Sequence, residues 1–145
     1  MSLHTIIFVP MIITKNIEVR FRDIDSMGHV NNAVYLNYFE QARMKYFNEL
    51  IGAKWDWNRD GIVIARQEID YKLPVFLNDS VGIKTWCSHM GTTSITFNYS
   101  VQVLRNNEYV TTTAGKTVVV CFNNQTKSIS PVPEVWKEKI RIQEN

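Results

Sequence analysis

The chain has 145 residues, a length typical of one domain with a substantial hydrophobic core. Apolar residues make up 45% of it and charged residues 21%, a balance that excludes a disordered chain. Its net charge of +2 argues against a protein that binds the nucleic-acid backbone. The apolar stretch at 1–14 is too short for a membrane span and lacks the features of a secretory signal. Because there are only two cysteines, we expect reduced thiols and a cytoplasmic protein.

The first half of the chain predicts one strand, one loop and one long helix. Residues 1–16 are irregular around a proline and are predicted to be an N-terminal extension to a single domain at 17–145. Strict alternation of apolar and polar residues predicts a strand at 17–22. A polar loop at 23–32 follows, and a helix is predicted over 33–51, ending at Gly52.

The predicted helix is too apolar for a surface helix, because 11 of the 18 residues at 34–51 are apolar or aromatic. From residue 61 onward the apolar positions recur with period 2, which predicts strands near 63–71, 81–87, 94–103 and 109–121. Asn106 and Asn107 predict a hairpin turn, and a short amphipathic tail follows at 134–140. This order predicts an α+β fold in which an antiparallel sheet of about five strands is wrapped around one long central helix.

Several familiar chemistries are not encoded. The sequence contains no phosphate-binding loop, no dinucleotide-binding glycine pattern and no nucleophile elbow. Asp23-x-Asp25 begins like a calcium loop, but Met27 occupies the third ligand position, so we reject that interpretation. Cys87-x-His89 lacks a second ligand pair at suitable spacing, and we therefore expect no metal site.

The polar loop before the helix has the layout of an acyl-transfer site. The first turn of a helix has backbone N–H groups without intrahelical partners and a partial positive charge. At the end of a buried helix, these donors suit a carbonyl oxygen that becomes negative during acyl transfer. Asp25 lies seven positions before Asn32, and a turn at Gly28 allows the chain to fold back on itself. The pattern predicts a carboxylate that faces an oxyanion-binding amide.

These residues also resemble a known family. The loop and helix contain Asp25-x-x-Gly28-His29-Val30-Asn31-Asn32-x-x-Tyr35, followed by Tyr38-Phe39-Glu40-x-Ala42-Arg43. This pattern is similar to that of hotdog-fold acyl-CoA thioesterases related to 4-hydroxybenzoyl-CoA thioesterase. The His-Val-Asn-Asn element also resembles plant acyl-carrier-protein thioesterases. Later strands agree in order, so the resemblance covers about 15–131.

The resemblance implies hydrolysis of an acyl-CoA thioester to a free acid and a thiol, with no cofactor beyond the coenzyme A of the substrate. It implies that the catalytic carboxylate acts as a nucleophile or as a general base on water, opposite a backbone oxyanion donor. It further implies a homodimer or homotetramer whose sheets join edge to edge, with the active site at the interface. The residues implied are Asp25, Asn32 and His29 for catalysis, and Asn31, Tyr35 and Glu40 for substrate binding.

Structural interpretations and other functions stay open beside this hypothesis. Short polar residues before a helix often act as caps, which is the alternative for Asp25 and Asn31. Asp23 is expected to be a solvated loop residue, and Glu40 is expected to form a local ion pair with Arg43. The alternative functions are a non-catalytic module that binds acyl thioesters, an acyl-carrier-protein thioesterase, and an enoyl-thioester hydratase.

Overall fold

The computed structural model describes residues 11–140. In these residues a first strand and a long helix are followed by five further strands and a short helix. The strands are β1 (Met11–Ile17), β2 (Asp60–Tyr71), β3 (Val81–Met90), β4 (Ser94–Arg105), β5 (Glu108–Asn123) and β6 (Ser128–Ile129), and the helices are α1 (Tyr35–Leu50) and α2 (Glu134–Lys139).

The strands form one antiparallel sheet in the order β1-β3-β4-β5-β2, with β6 paired to β5. Buried and partly exposed residues alternate along β3 and β4, so one face of the sheet is turned inward. The first strand after the helix, β2, pairs with β5 and not with β3. Within the described residues, the other edge of β2 has no partner strand.

Helix α1 packs against the inner face of this sheet. The ring of Phe39 stacks on the ring of Tyr99 in β4, with 4.4 Å between their centroids. Phe47 lies near the other end of the helix and contacts Trp136 of α2, at 4.9 Å between centroids. The rings of Phe39 and Phe47 are both fully buried. The helix ends at Leu50, and Gly52 shortly after it has a positive φ of 108°, which suits the residue that follows a helix cap. This architecture confirms the predicted α+β fold.

The start of the domain differs from the prediction. A strand was predicted at 17–22, whereas β1 ends at Ile17 and a 3-10 turn occupies Phe21–Asp23. The turn forms because Asp23 accepts hydrogen bonds from the backbone and side chain of Arg20, which closes the chain into a turn in place of an extended strand. Residues 11–16 of the predicted extension belong to β1, and residues 1–10 lie outside the described residues.

Candidate active site

The loop at 23–32 folds into a tight hairpin directly before the helix. Ile24 and Val30 form an isolated antiparallel bridge, and the amide of Asp25 donates to the carbonyl of His29 at 2.9 Å. The Gly28 amide donates to the carbonyl of Asp25 at 3.0 Å, and Gly28 has a φ of +85°. A glycine adopts this angle without strain, so the turn forms at the predicted position.

The two oxygens of the Asp25 carboxylate have different surroundings. Oδ1 accepts a hydrogen bond from the amide of Met27 at 2.9 Å, the geometry of an Asx turn. Oδ2 lies 3.8 Å from Nδ1 of His29, and the Asp25 side chain is 24% exposed. The His29 ring also approaches the carbonyl of Val30 at 3.5 Å. One carboxylate oxygen is therefore fixed by the loop, while the other remains available beside an imidazole.

A cavity of about 390 Å³ opens beside this carboxylate. Its walls come from the loop, the start of the helix, the end of β2 and the segment that follows β2. The lining residues are Asp25, His29, Val30, Asn32, Tyr35, Tyr71, Lys72, Leu73 and Pro74. The structure thus brings four of the six predicted site residues together around one opening.

The backbone of Asn32 lies at the start of the helix, on the wall of this cavity. It is the first residue of a 3-10 turn, Asn32–Val34, that leads into α1. Among the described residues, no acceptor is found for its backbone N–H, as expected in a first helical turn. Its carbonyl accepts a hydrogen bond from the hydroxyl of Tyr71 at 2.8 Å. A strand side chain therefore bonds to the backbone of the same residue whose amide is the predicted oxyanion donor.

The two remaining predicted residues lie outside the cavity wall. Asn31 accepts a hydrogen bond from the amide of Ala33 through its side chain, at 2.9 Å, so its side chain caps the turn. Glu40 is exposed on α1, and among the described residues it forms no ion pair. The predicted pair with Arg43 is wrong, because the Arg43 side chain is buried and donates to the hydroxyl of Tyr99 at 3.0 Å.

Asp23 also differs from its prediction as a solvated loop residue. Its exposure is only 2%, and it accepts hydrogen bonds from Arg20 and from the hydroxyl of Tyr38. Burial pushes the pKa of Asp23 upward, but these hydrogen bonds outweigh that effect and hold its pKa below the ordinary value. Burial and the nearby Asp23 carboxylate raise the pKa of Tyr38, which keeps its hydroxyl protonated as a donor. The spacing Arg20-x-x-Asp23, which suits a capped turn, was the available sequence signal.

Tyr71 lines the cavity, although the sequence alone did not identify it as a site residue. It ends β2, lines the cavity and packs edge to face on Tyr35, with ring centroids 5.3 Å apart. Tyr35 is buried, and burial raises the pKa of its hydroxyl. The two tyrosines give the cavity an aromatic wall.

Two further features of residues 11–140 complete the description of the site. This part of the chain contains no group of three or more His, Cys, Asp and Glu side chains that could hold a metal ion. Neither of its helices is long and apolar enough to cross a membrane.

An antiparallel sheet packed around one long helix, with a polar loop and a cavity at the start of that helix, defines the hotdog class of proteins. The family model described as "Thioesterase-like superfamily" matches residues 19–140. The chain belongs to this superfamily, which confirms the predicted hotdog fold and the predicted class of enzyme, a thioester hydrolase.

Individual relatives agree with this assignment. A thioesterase of Thermus thermophilus, crystallised with coenzyme A and Zn, is 36% identical; the alignment covers 92% of this chain and 99% of that one, with a TM-score of 0.75. A 1,4-dihydroxy-2-naphthoyl-CoA hydrolase of Synechococcus elongatus is 28% identical over 128 residues, which are 86% of this chain and 91% of that protein. The uncharacterized protein YsmA of Bacillus subtilis is 32% identical over 83 residues, 57% of this chain and 56% of that protein.

Proposed function

We propose that the chain is an acyl-CoA thioesterase, which hydrolyses its substrate to a free acid and coenzyme A. The observation that carries this proposal is the shared cavity of the Asp25 carboxylate and the Asn32 backbone at the start of a buried helix. The coenzyme A bound to the Thermus thermophilus relative and the acyl-CoA substrate named for the Synechococcus relative support a coenzyme A ester.

In the proposed reaction, the thioester oxygen accepts a hydrogen bond from the Asn32 amide, which stabilises the negative charge that develops there. Asp25 acts through Oδ2 by one of two routes. As a nucleophile it attacks the thioester carbon, the carbon–sulfur bond breaks, and water then hydrolyses the resulting mixed anhydride. As a general base it removes a proton from water, whose oxygen attacks the same carbon. In both routes the thiolate leaves and takes up a proton, and no redox cofactor or metal is required.

The neighbouring side chains have supporting roles in this proposal. Nδ1 of His29 lies 3.8 Å from the reacting oxygen of Asp25, where the imidazole helps to position the carboxylate. Tyr35 and Tyr71 provide the aromatic wall along the acyl group, and Asn31 fixes the first turn of the helix. Lys72 supplies a cation on the cavity wall.

We also propose that the active form is an oligomer joined at β2. This strand has a free edge among the described residues, and its Val63 and Ile64 are 44% and 46% exposed. An exposed edge with adjacent apolar side chains favours pairing with a second chain. Two-fold pairing of β2 with its copy extends the sheet across the dimer. The two free cysteines support the predicted cytoplasmic location.

The decisive experiment measures thiol release from a panel of acyl-CoA esters by the wild type and by Asp25→Asn. The amide retains the Oδ1 acceptor for Met27 but loses the charge, so we expect kcat to fall about 10²-fold or more. Asp56→Asn is the matched control, since Asp56 forms the same kind of Asx turn with the amide of Asn58 in a loop outside the cavity. We expect this control to keep kcat within about twofold of the wild type.

The other outcomes distinguish the alternative functions. Equal kcat for the wild type and Asp25→Asn would contradict the catalytic role of this carboxylate. A thermal shift with acyl-CoA but no hydrolysis indicates a non-catalytic binding module. Loss of a substrate double bond without thiol release indicates a hydratase. Turnover of acyl-carrier-protein esters in preference to matched acyl-CoA esters indicates the carrier-protein branch.

A further inference from the structure

Asp23 lies two residues before Asp25, and both of its carboxylate oxygens accept hydrogen bonds. Oδ2 accepts hydrogen bonds from the Tyr38 hydroxyl and from the Arg20 amide, both at 2.9 Å. Oδ1 accepts from Nη2 of Arg20 at 3.0 Å and from its Nε at 3.2 Å. Asp23 does not line the cavity and is 2% exposed, so it has no direct access to substrate.

The backbone of Asp23 forms hydrogen bonds with Arg20, which precedes the hairpin, and with Asn31, which follows it. Its amide donates to the carbonyl of Arg20 at 2.9 Å, and its carbonyl accepts from the amide of Asn31 at 2.8 Å. Asn31 directly precedes Asn32, while Asp25 follows Asp23 by two residues. The same residue therefore holds the segment that bears the carboxylate and the segment that bears the oxyanion donor.

The contact with Tyr38 connects this hairpin to the helix. Tyr38 is on the first turn of α1, is 1% exposed, and donates its hydroxyl across 15 positions of sequence to Asp23. Hydrogen bonds to a buried carboxylate are charge-assisted and stronger than those between neutral groups. Loops are otherwise the most mobile parts of a fold, and a displacement of about 1 Å at a reacting group costs roughly 10²-fold in rate.

We propose that Asp23 is a positioning residue, which uses Arg20 and Tyr38 to fix the separation between the Asp25 carboxylate and the Asn32 amide. This inference rests on the proposed thioesterase function. Asp23 does not touch the reacting atoms. It acts by holding the hairpin on the helix, so its loss changes the rate of reaction at bound substrate more than it changes substrate binding.

The test compares two tyrosine variants of the same helix. Tyr38→Phe removes the hydroxyl that reaches Asp23 and keeps the ring, which packs on Tyr35 with 5.9 Å between centroids. Tyr46→Phe removes a hydroxyl from another buried tyrosine, two turns further along α1 and away from the hairpin. We expect Tyr38→Phe to lower kcat about 10-fold with KM within about twofold, and Tyr46→Phe to leave both within about twofold.

Amide hydrogen exchange supplies a readout that does not depend on turnover. In Tyr38→Phe we expect faster exchange at the amides of Asp25 and Asn31, which are bonded within the hairpin, and unchanged exchange in β4. Unaltered exchange and kcat in Tyr38→Phe would overturn the positioning role. Faster exchange with unaltered kcat would overturn it as well. A wild type that hydrolyses no thioester contradicts the proposed function, whereas an active wild type with an equally active Tyr38→Phe contradicts only this inference.

Discussion

The ring of Phe39 in α1 rests directly on the backbone of Gly115 in β5. A Cβ atom at position 115 would lie 2.3 Å from Cζ of Phe39 and 2.4 Å from its Cε2, closer than real contacts allow. The same ring stacks on Tyr99, the cross-strand partner of Gly115, with planes inclined by only 5°. Glycine at position 115 therefore allows the helix to approach the sheet closely enough for this stack to form.

We expect Gly115→Ala to destabilise the fold by about 1–3 kcal/mol, the usual cost of adding a methyl group to a packed core. Phe39 cannot move away without disturbing its stack on Tyr99. Gly82→Ala is the control, because a Cβ there lies 3.6 Å from its nearest neighbour, the carbonyl of Thr14, which is an ordinary contact. Urea unfolding of both variants measures the difference. Equal free energies of unfolding would show that the helix has room to shift.

The lowered pKa of Asp23 predicts an acid-dependent contribution to stability. A carboxyl group whose pKa is lower in the folded state than in the unfolded chain stabilises the fold above about pH 4, and that contribution is lost as the pH falls through its folded pKa. We expect Asp23→Asn to melt below the wild type by the same margin from pH 7 to about pH 5, and the gap in Tm to narrow below about pH 4. The exposed Asp56 provides the control substitution, Asp56→Asn. A gap that is constant from pH 7 to pH 3 would argue against an ionised Asp23 as the source.

Tyr71→Phe tests the hydrogen bond that the Tyr71 hydroxyl donates to the Asn32 carbonyl. The substitution removes the 2.8 Å contact to the Asn32 carbonyl and keeps the ring that packs on Tyr35. One hydrogen bond of this kind is worth about 0.5–1.5 kcal/mol, so we expect kcat to fall about 2- to 10-fold. Tyr109→Phe, at a highly exposed tyrosine of β5, is the control and should match the wild type. Steady-state kinetics with one acyl-CoA ester decides between these results.

The edge of β2 that has no partner strand among residues 11–140 predicts a dimer in which two copies of β2 pair. A charged side chain at an unpaired edge opposes strand pairing, so we expect Ile64→Lys to shift a wild-type dimer toward monomer at micromolar concentration. Ile129→Lys introduces the same charge at a more exposed isoleucine of β6 and should leave the assembly unchanged. Light scattering coupled to size exclusion measures both masses. If the dimer persists in Ile64→Lys and dissociates in Ile129→Lys, the interface does not lie at β2.

Much of the fold was predictable because its signals are local. The period of two along β3 and β4 reports directly on a sheet with one buried face, and Gly52 marks the end of the helix. Asn106 and Asn107 both have positive φ, as the predicted hairpin turn requires. Pairing of β2 with β5 was not predictable in this way, since nothing in the 60–71 sequence identifies its neighbour 50 positions away.

The site was predictable to the extent that it follows from one loop. Asp25, His29 and Asn32 lie within eight positions, and the turn at Gly28 places them around the same cavity. Asp23 was misassigned because the spacing Arg20-x-x-Asp23 indicates only a capped turn, whereas its burial depends on Tyr38, 15 positions away in the helix. The inward position of Arg43 had a signal, because it follows the buried Phe39 by four residues, one turn of the helix.

The contacts of Phe39 also determine when the fold can be completed during synthesis. Helix α1 ends at residue 50, yet the sheet residues that contact the ring of Phe39, Tyr99 and Gly115, come 60 and 76 positions after Phe39. On the ribosome, the apolar face of the helix therefore stays exposed until most of the remaining chain has emerged and the sheet can cover it. A nascent chain stalled before β5 lacks the strand that joins β2 to β4, which makes it a natural client for chaperones that bind exposed apolar segments.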